Sequence, residues 1–242
     1  MIVLSTDFGL EGPYVGQVKA NLYQQAPNCH VIDLFSDLPS FNPFASAVLL
    51  AAYSQNFPDD SVFLSIVDPG VGMPERKGMV VRTAKHWFIG PNNGLFDRVI
   101  AMERDIRCWE ITWQPEQLSD SFHGRDLFAP IAAELAEGIF PTEKLILITP
   151  DKQDLIEFSS ASIVYIDRFG NLITSLLADD IVMTATFILC GHEINYARTF
   201  GEVEIGALFW YKNSNGLVEI ASNSSSAANM LNASIGDTLT LR

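Results

Sequence analysis

The spacing of apolar residues changes character once along this chain, and that change limits the fold more than any single motif. Up to about residue 140, short apolar runs alternate with segments of helical spacing. "MIVLST", "CHVIDLF" and "SVFLSIVD" are strand-like. Between the first two, "YVGQVKANLYQQA" repeats Val15, Val18 and Leu22 at helical intervals. Between the second and third, "NPFASAVLLAAYSQ" places good helix formers after a proline. Strand, helix, strand, helix, strand is the order of a parallel sheet covered by helices. "GMVVRTA", "HWFIG" and "RCWEIT" read as further strands, followed by a helix after Asp126. Beyond about residue 158 the helices stop. "ASIVYID", "NLITSL", "TATFILC", "EINYARTF", "ALFWYKN", "LVEIAS" and "DTLTLR" are short runs broken by Gly, Asn, Ser and Asp, the spacing of a small antiparallel sandwich or barrel.

The expected fold is therefore an α/β domain over residues 1–150, with a mainly parallel sheet flanked by helices. A smaller all-β, barrel-like domain follows over 158–242, and a linker region across 141–157 contains clustered prolines and charges. "SNSSSAAN" reads as a turn or loop.

Composition removes several function classes. A hydrophobic share of 48% with 18% charged residues describes an ordered globular protein. A net charge of −14, from 29 acidic against 15 basic residues, is wrong for displacing counterions, so nucleic acid is not an expected partner. The longest apolar runs fall short of the roughly 20 residues of a membrane span. The first residues lack a basic stretch and read as a buried strand, not a signal peptide. Cys29, Cys108 and Cys190 are odd in number and unpaired in spacing, which suggests core packing and a reducing compartment, with cytoplasm as the expected location.

Ligands of open α/β sheets gather beyond the carboxyl ends of the strands. Three polar loops fall there: "TDFG" with Asp7, "VDPGVGMPERKG" with Asp68 and Arg76, and "IGPNNGLFD" with Asn92 and Asn93. A fourth polar cluster, "FHGRD", sets His123, Arg125 and Asp126 around Gly124 at the mouth of a helix. Capping is the plain reading of Asp126, since a carboxylate suits a helix N-terminus. A strand-tip carboxylate is likewise often only a turn former. "DPGVG" lacks the third glycine of a dinucleotide fingerprint, and neither GxxxxGK[ST] nor GxSxG is present. Asp7, Asp68, His123 and Asp126 could converge on a metal, but without HExxH, a His pair or a cysteine set no metal site is expected. His30, His86 and His192 read as packed or surface residues.

Together "STDFG…YVGQVKA", "VDPGVG", "GPNNGL", "FHGRDLFAPIAA", "DRFGNLITS" and "NSNGLVEIASNSSSA" carry a resemblance. The chain resembles the S-adenosyl-L-methionine (SAM) hydroxide adenosyltransferases, relatives of the fluorinating and chlorinating SAM enzymes, from residue 1 to about 236. The resemblance implies a homotrimer with SAM held between one subunit's N-terminal domain and its neighbour's C-terminal domain. It implies a reaction without a cofactor, in which hydroxide attacks ribose C5′, methionine leaves and adenosine is released.

The implied catalytic set is Asp68, Arg76 and His123. A sulfonium leaves readily, so the missing element is a nucleophile. An imidazole or carboxylate that takes a proton from water, beside a guanidinium, would supply one. Either Asp68 or His123 fits as the acceptor. The fluorinating relatives carry a tyrosine at the position of Asp68 and a serine at that of Gly124. A carboxylate repels a halide, so hydroxide transfer is favoured, with a halogenase or a non-catalytic adenosine- or SAM-binding protein as the alternatives.

For substrate binding, the resemblance implies that Asp7 accepts the ribose hydroxyls and that Asp167 lies near the methionine ammonium. It also implies that Asn171 is the site asparagine, Phe169 a packing residue and Ser214 a partner of the methionine carboxylate. Tyr211, Glu219 and Asn223 fall in the segment of the adenine pocket. A second acidic residue near the ammonium falls at Gly12, with Glu11 beside it. Asn171 after Gly170, and Asn215-Gly216, read equally well as hairpin turns.

Overall fold

The computed structural model describes residues 1–150, 155–158 and 160–242, and the chain divides into two compact units, 1–156 and 157–242. In the first unit, β1 (Ile2–Thr6), α1 (Tyr14–Gln25), β2 (Val31–Phe35), α2 (Pro43–Tyr53) and β3 (Val62–Ile66) follow the expected order. They are succeeded by β4 (Gly78–Arg82), β5 (Trp87–Pro91), α3 (Asp97–Met102), β6 (Arg107–Ile111), α4 (Ala129–Ala136) and β7 (Leu145–Ile148). The seven strands form one sheet in the order β2-β1-β3-β5-β4-β6-β7.

Strands β2, β1, β3 and β5 run parallel, and every pairing beyond β5 is antiparallel. The reversal follows from the short turn between β4 and β5, which only an antiparallel pair can span. β1 and β3 are buried along their whole length, as strands covered on both faces must be. α1 turns Val18 and Leu22 inward, where they join Ile2, Leu4, Val62, Leu64 and the apolar face of α4. Each such side chain contributes about 1.5–3 kcal/mol through its removal from water. α2 starts at Asn42, whose side chain accepts from Ala45 N at 3.0 Å, with Pro43 in its first turn.

Thr6 lies opposite Ile66 in the β1–β3 register, so the loops after both strands leave the sheet at one edge. Leu145–Ile148, inside the stretch expected as a linker, is instead an edge strand on β6. Residues 151–154 of that stretch lie outside the described residues.

The second unit is built from β8 (Ile163–Ile166), β9 (Leu172–Leu177), β10 (Phe187–Leu189), β11 (His192–Ile194), β12 (Leu208–Lys212), β13 (Leu217–Ser222) and β14 (Thr240–Leu241). A four-stranded sheet β12-β13-β9-β8 and a three-stranded sheet β11-β10-β14 are both antiparallel and share one core. Trp210 lies at its centre, and its indole N–H donates to Ala185 O at 2.9 Å. Helical structure does occur here, in two short 3-10 turns at Ala178–Asp180 and Phe200–Glu202 and in α5 (Ala227–Leu231), where "SNSSSAAN" reads as loop. Ser226 caps it by accepting from Asn229 N, and left-handed Asn232 ends it. Cys29 and Cys108 are buried as expected, and burial pushes the Cys108 thiol up to about 11. Cys190 is exposed, because it occupies the β10–β11 turn at φ 51°. Among the described residues no helix is long and apolar enough to cross a membrane.

Candidate active site

The shared edge of β1 and β3 opens into a cavity of about 510 Å³ lined by Asp7, Asp68 and His123, with Phe8, Tyr14, Phe41 and Phe122 among its apolar walls. Asp7 follows the tip of β1; its backbone N–H donates to Ile66 O and its Oδ2 accepts from Phe41 N at 3.1 Å. Burial, reinforced by the charge of Asp68, raises its pKa above the ordinary carboxylate value.

The Asp68 side chain is only 4% exposed. Its Oδ1 accepts from Gly70 N at 3.1 Å and lies 3.1 Å from Arg76 Nε, an ion pair without hydrogen-bond alignment. Its buried Oδ2 has no hydrogen-bond partner among the described residues. Burial raises the Asp68 pKa, against the lowering influence of Arg76, the Gly70 N–H and His123. Gly70 accounts for "DPGVG": a Cβ there would collide with the Arg76 guanidinium, so the glycine admits the arginine and cradles no phosphate. Arg76 stands behind Asp68, outside the cavity lining, and its Nη1 donates to Asn92 O at 3.4 Å. Asn93 ties the neighbouring turn to the end of β3, donating to Val67 O at 2.8 Å.

His123 precedes a π turn, Gly124–Phe128, that leads into α4. Asp126 does not cap that helix as expected. It lies within the turn, where Arg125 binds both its oxygens and Ser119 N donates to Oδ2. That engagement separates Asp126 from the other three residues weighed as metal ligands, and among the described residues no metal-binding group of three or more His, Cys, Asp or Glu is found. Gly124 presses on β3: a Cβ would lie 2.7 Å from Ile66 Cδ1.

The second unit holds a separate cavity of about 830 Å³, lined by Asp167, Phe169, Asn171, Tyr211, Ser214 and Glu219. Asp167 Oδ1 accepts from Phe169 N and Asn171 N at 2.8 and 2.9 Å, and Oδ2 accepts from Asn171 Nδ2 at 2.9 Å. "DRFGN" is thus both the turn joining β8 to β9 and part of the cavity wall, with Gly170 at φ 82°. "NSNG" likewise forms the β12–β13 hairpin, with Gly216 at φ 83°. Tyr211 OH donates to Glu219 Oε1, and Asn213 Nδ2 donates to Oε2 at 3.1 Å. Burial raises the Glu219 pKa despite both donors.

Asn223 does not line this cavity. Its Nδ2 donates to Val203 O at 2.9 Å, so it braces the 203–207 loop. Glu11 is exposed and lines neither cavity. Phe200, Asn213 and Ser222 in the second unit, and Phe8, Tyr14, Phe41 and Phe122 in the first, are lining residues that sequence reading missed. Phe8, Tyr14, Phe122, Asn213 and Ser222 lay within the motifs quoted for the resemblance but drew no role, whereas Phe41 and Phe200 lay outside them.

Residues 2–145 match the family model for the SAM hydroxide adenosyltransferase N-terminal domain, and 161–240 match that for the C-terminal domain. The chain belongs to the SAM hydroxide adenosyltransferase family. It is 36% identical to an (R)-S-adenosyl-L-methionine hydrolase of Thermus thermophilus, over 93% of each chain. A fluorinase of Nocardia brasiliensis is a more distant relative of this family member, 24% identical over 98% of this chain and 94% of that one. A crystal structure of an uncharacterized conserved protein from Thermotoga maritima superposes with a TM-score of 0.91 at 28% identity, covering all of both chains.

Proposed function

We propose that this protein hydrolyses (R)-S-adenosyl-L-methionine to adenosine and L-methionine. The observation that carries this reading is the state of Asp68, with Oδ1 occupied by Gly70 N and Arg76 and buried Oδ2 unpartnered, in a cavity shared with His123 and Asp7. In the proposed step a water oxygen bonds to ribose C5′ as the C5′–S bond breaks. The bond's electron pair passes to sulfur, which leaves as the neutral thioether of methionine, so no acid is required. Asp68 takes the water proton through Oδ2, helped by its raised pKa, which brings a carboxylate nearer the basicity this transfer needs. His123 orients the water and Arg76 holds Asp68 in place. Asp7 accepts the ribose hydroxyls, a role two vicinal donors suit.

In the second unit, Asp167, Phe169, Asn171, Tyr211, Ser214 and Glu219 contact the methionine and adenine portions. The active form is a homotrimer in which this wall of one copy closes the N-terminal cavity of another. Phe41 (76% exposed) and Phe169 (76% exposed) each line a cavity wall, and closing one wall on the other would cover both. A cytoplasmic location belongs to the same proposal and rests on three free thiols.

Incubation with (R)-SAM in ¹⁸O-water tests the reaction: adenosine labelled at its 5′-oxygen is expected, and absence of adenosine overturns it. The likeness to a fluorinase supports a second reading, halide transfer. Added fluoride or chloride distinguishes it by formation of a halogenated nucleoside. Light scattering during gel filtration reads the trimer.

A further inference from the structure

His123 stands at the end of a stretch, residues 112–123, that contains no helix or strand. It is followed by a five-residue π turn closed by Ala129 N donating to Gly124 O, a geometry often found beside functional sites. Arg125 and Asp126 of this turn lie outside the cavity lining, yet they grip the stretch from several sides. Asp126 Oδ2 accepts from Ser119 N at 3.0 Å, closing the loop onto the turn. Arg125 Nε and Nη2 donate to Asp126 Oδ1 and Oδ2 at 2.6 and 2.9 Å, and Nη1 donates to Gln17 Oε1 of α1 at 3.1 Å. The guanidinium carbon also lies 4.9 Å from the centre of the Phe122 ring, which packs on Phe8 and Tyr14 at 5.8 and 5.6 Å. The residue before His123 is therefore held by Arg125, and the residue after it sits close against Ile66. Burial alone would raise the Asp126 carboxyl, but Arg125 and the Ser119 N–H outweigh it and hold the pKa below the ordinary value.

We propose that the Arg125–Asp126 pair is the positioning device for His123, fixing the imidazole against Asp68 by tying its loop to α1. The inference rests on the proposed hydrolase reading. A pair serving only fold stability would give the same contacts, so the test must separate the two. Asp126→Asn keeps an acceptor for Ser119 but loses the charge, whereas Arg125→Lys keeps the charge and loses the planar fork. Each variant is expected to lower kcat about 10–100-fold, the scale of a misplacement near 1 Å, while KM for SAM stays within about threefold. Asp126→Glu, which retains the carboxylate, is expected to recover part of the lost kcat. In the absence of substrate, the His123 imidazole resonance should move in both loss variants.

Unchanged kcat in both variants, or a loss that tracks melting temperature with kcat and KM impaired together, overturns the proposal. If Asp126→Asn does not fold, Arg125→Lys decides on its own. If the wild-type protein forms no adenosine, the hydrolase reading fails, and the His123 resonance still decides the positioning.

Discussion

The two cavities both contain a pair of carboxylates, but they use them differently. In the cavity of the second unit both carboxylates have local donors on each oxygen: Asp167 is satisfied by Phe169 N and the Asn171 main and side chains, Glu219 by Tyr211 and Asn213. In the first unit Asp68 keeps one buried oxygen without a partner. A buried acid with unmet capacity is costly to the fold, and such a cost is tolerated where the group does chemistry. Saturated acids shape a wall; an unsaturated one can accept a proton.

That contrast can be broken most directly at Asp68. Asp68→Asn is expected to lower kcat about 10²–10⁴-fold, the range for a positioned general base, with adenosine affinity little changed. Steady-state turnover beside calorimetric titration with adenosine measures both. Next in size, Asp7→Ala should weaken adenosine binding about 10–100-fold, the worth of hydrogen bonds to a charged acceptor. An unaltered dissociation constant would remove Asp7 from the ribose.

In the second unit the matching substitution should act on binding alone: Asp167→Asn raises KM for SAM about tenfold and leaves kcat near wild type. A kcat collapse there as large as at Asp68 would erase the distinction between the cavities.

A smaller effect concerns stability. Burial raises Asp97 as it raises Asp7 and Asp68. Between the ordinary value of 3.8 and the raised one, the folded state holds more protons than the unfolded, so stability falls as pH rises through that window. Asp97 lines neither the Asp68 cavity nor the Asp167 cavity, and its Oδ2 accepts from Ile156 N at 2.8 Å. Asp97→Asn should flatten the fall in melting temperature as pH rises above 3.8 by a few degrees at most, on the order of 2–4 °C for each kcal/mol. The smallest expected effect is none: exhaustive chelation should leave turnover unchanged.

Much of the architecture was legible because its signals are local. Apolar runs bounded by turn residues marked β1, β3 and the strands of the second unit, and the loops bearing Asp7, Asp68 and His123 stood out as polar interruptions. Strand direction is not a local property, so the antiparallel β4-β6-β7 half of the sheet could not be read from its runs. α5 is too short to display helical periodicity, and its serine cap looked like loop composition. Asp126 was misread for a related reason: a carboxylate at a helix mouth suits a cap, and only the π turn redirects it to Arg125 and Ser119. Asn223 shares its composition with a pocket residue, yet its amide serves the 203–207 loop.

The contact between Gly124 and Ile66 also bears on how such a scaffold could be retuned. Position 124 is tight: one added carbon would meet the terminal Ile66 methyl at 2.7 Å, so that methyl would have to move. Introducing a hydroxyl-bearing residue there, in search of a different nucleophile, would first require the Ile66 side chain to be trimmed or turned away. Positions 66 and 124 are thus a single unit of change: redesign that edits one and spares the other would report a steric fault as a chemical one.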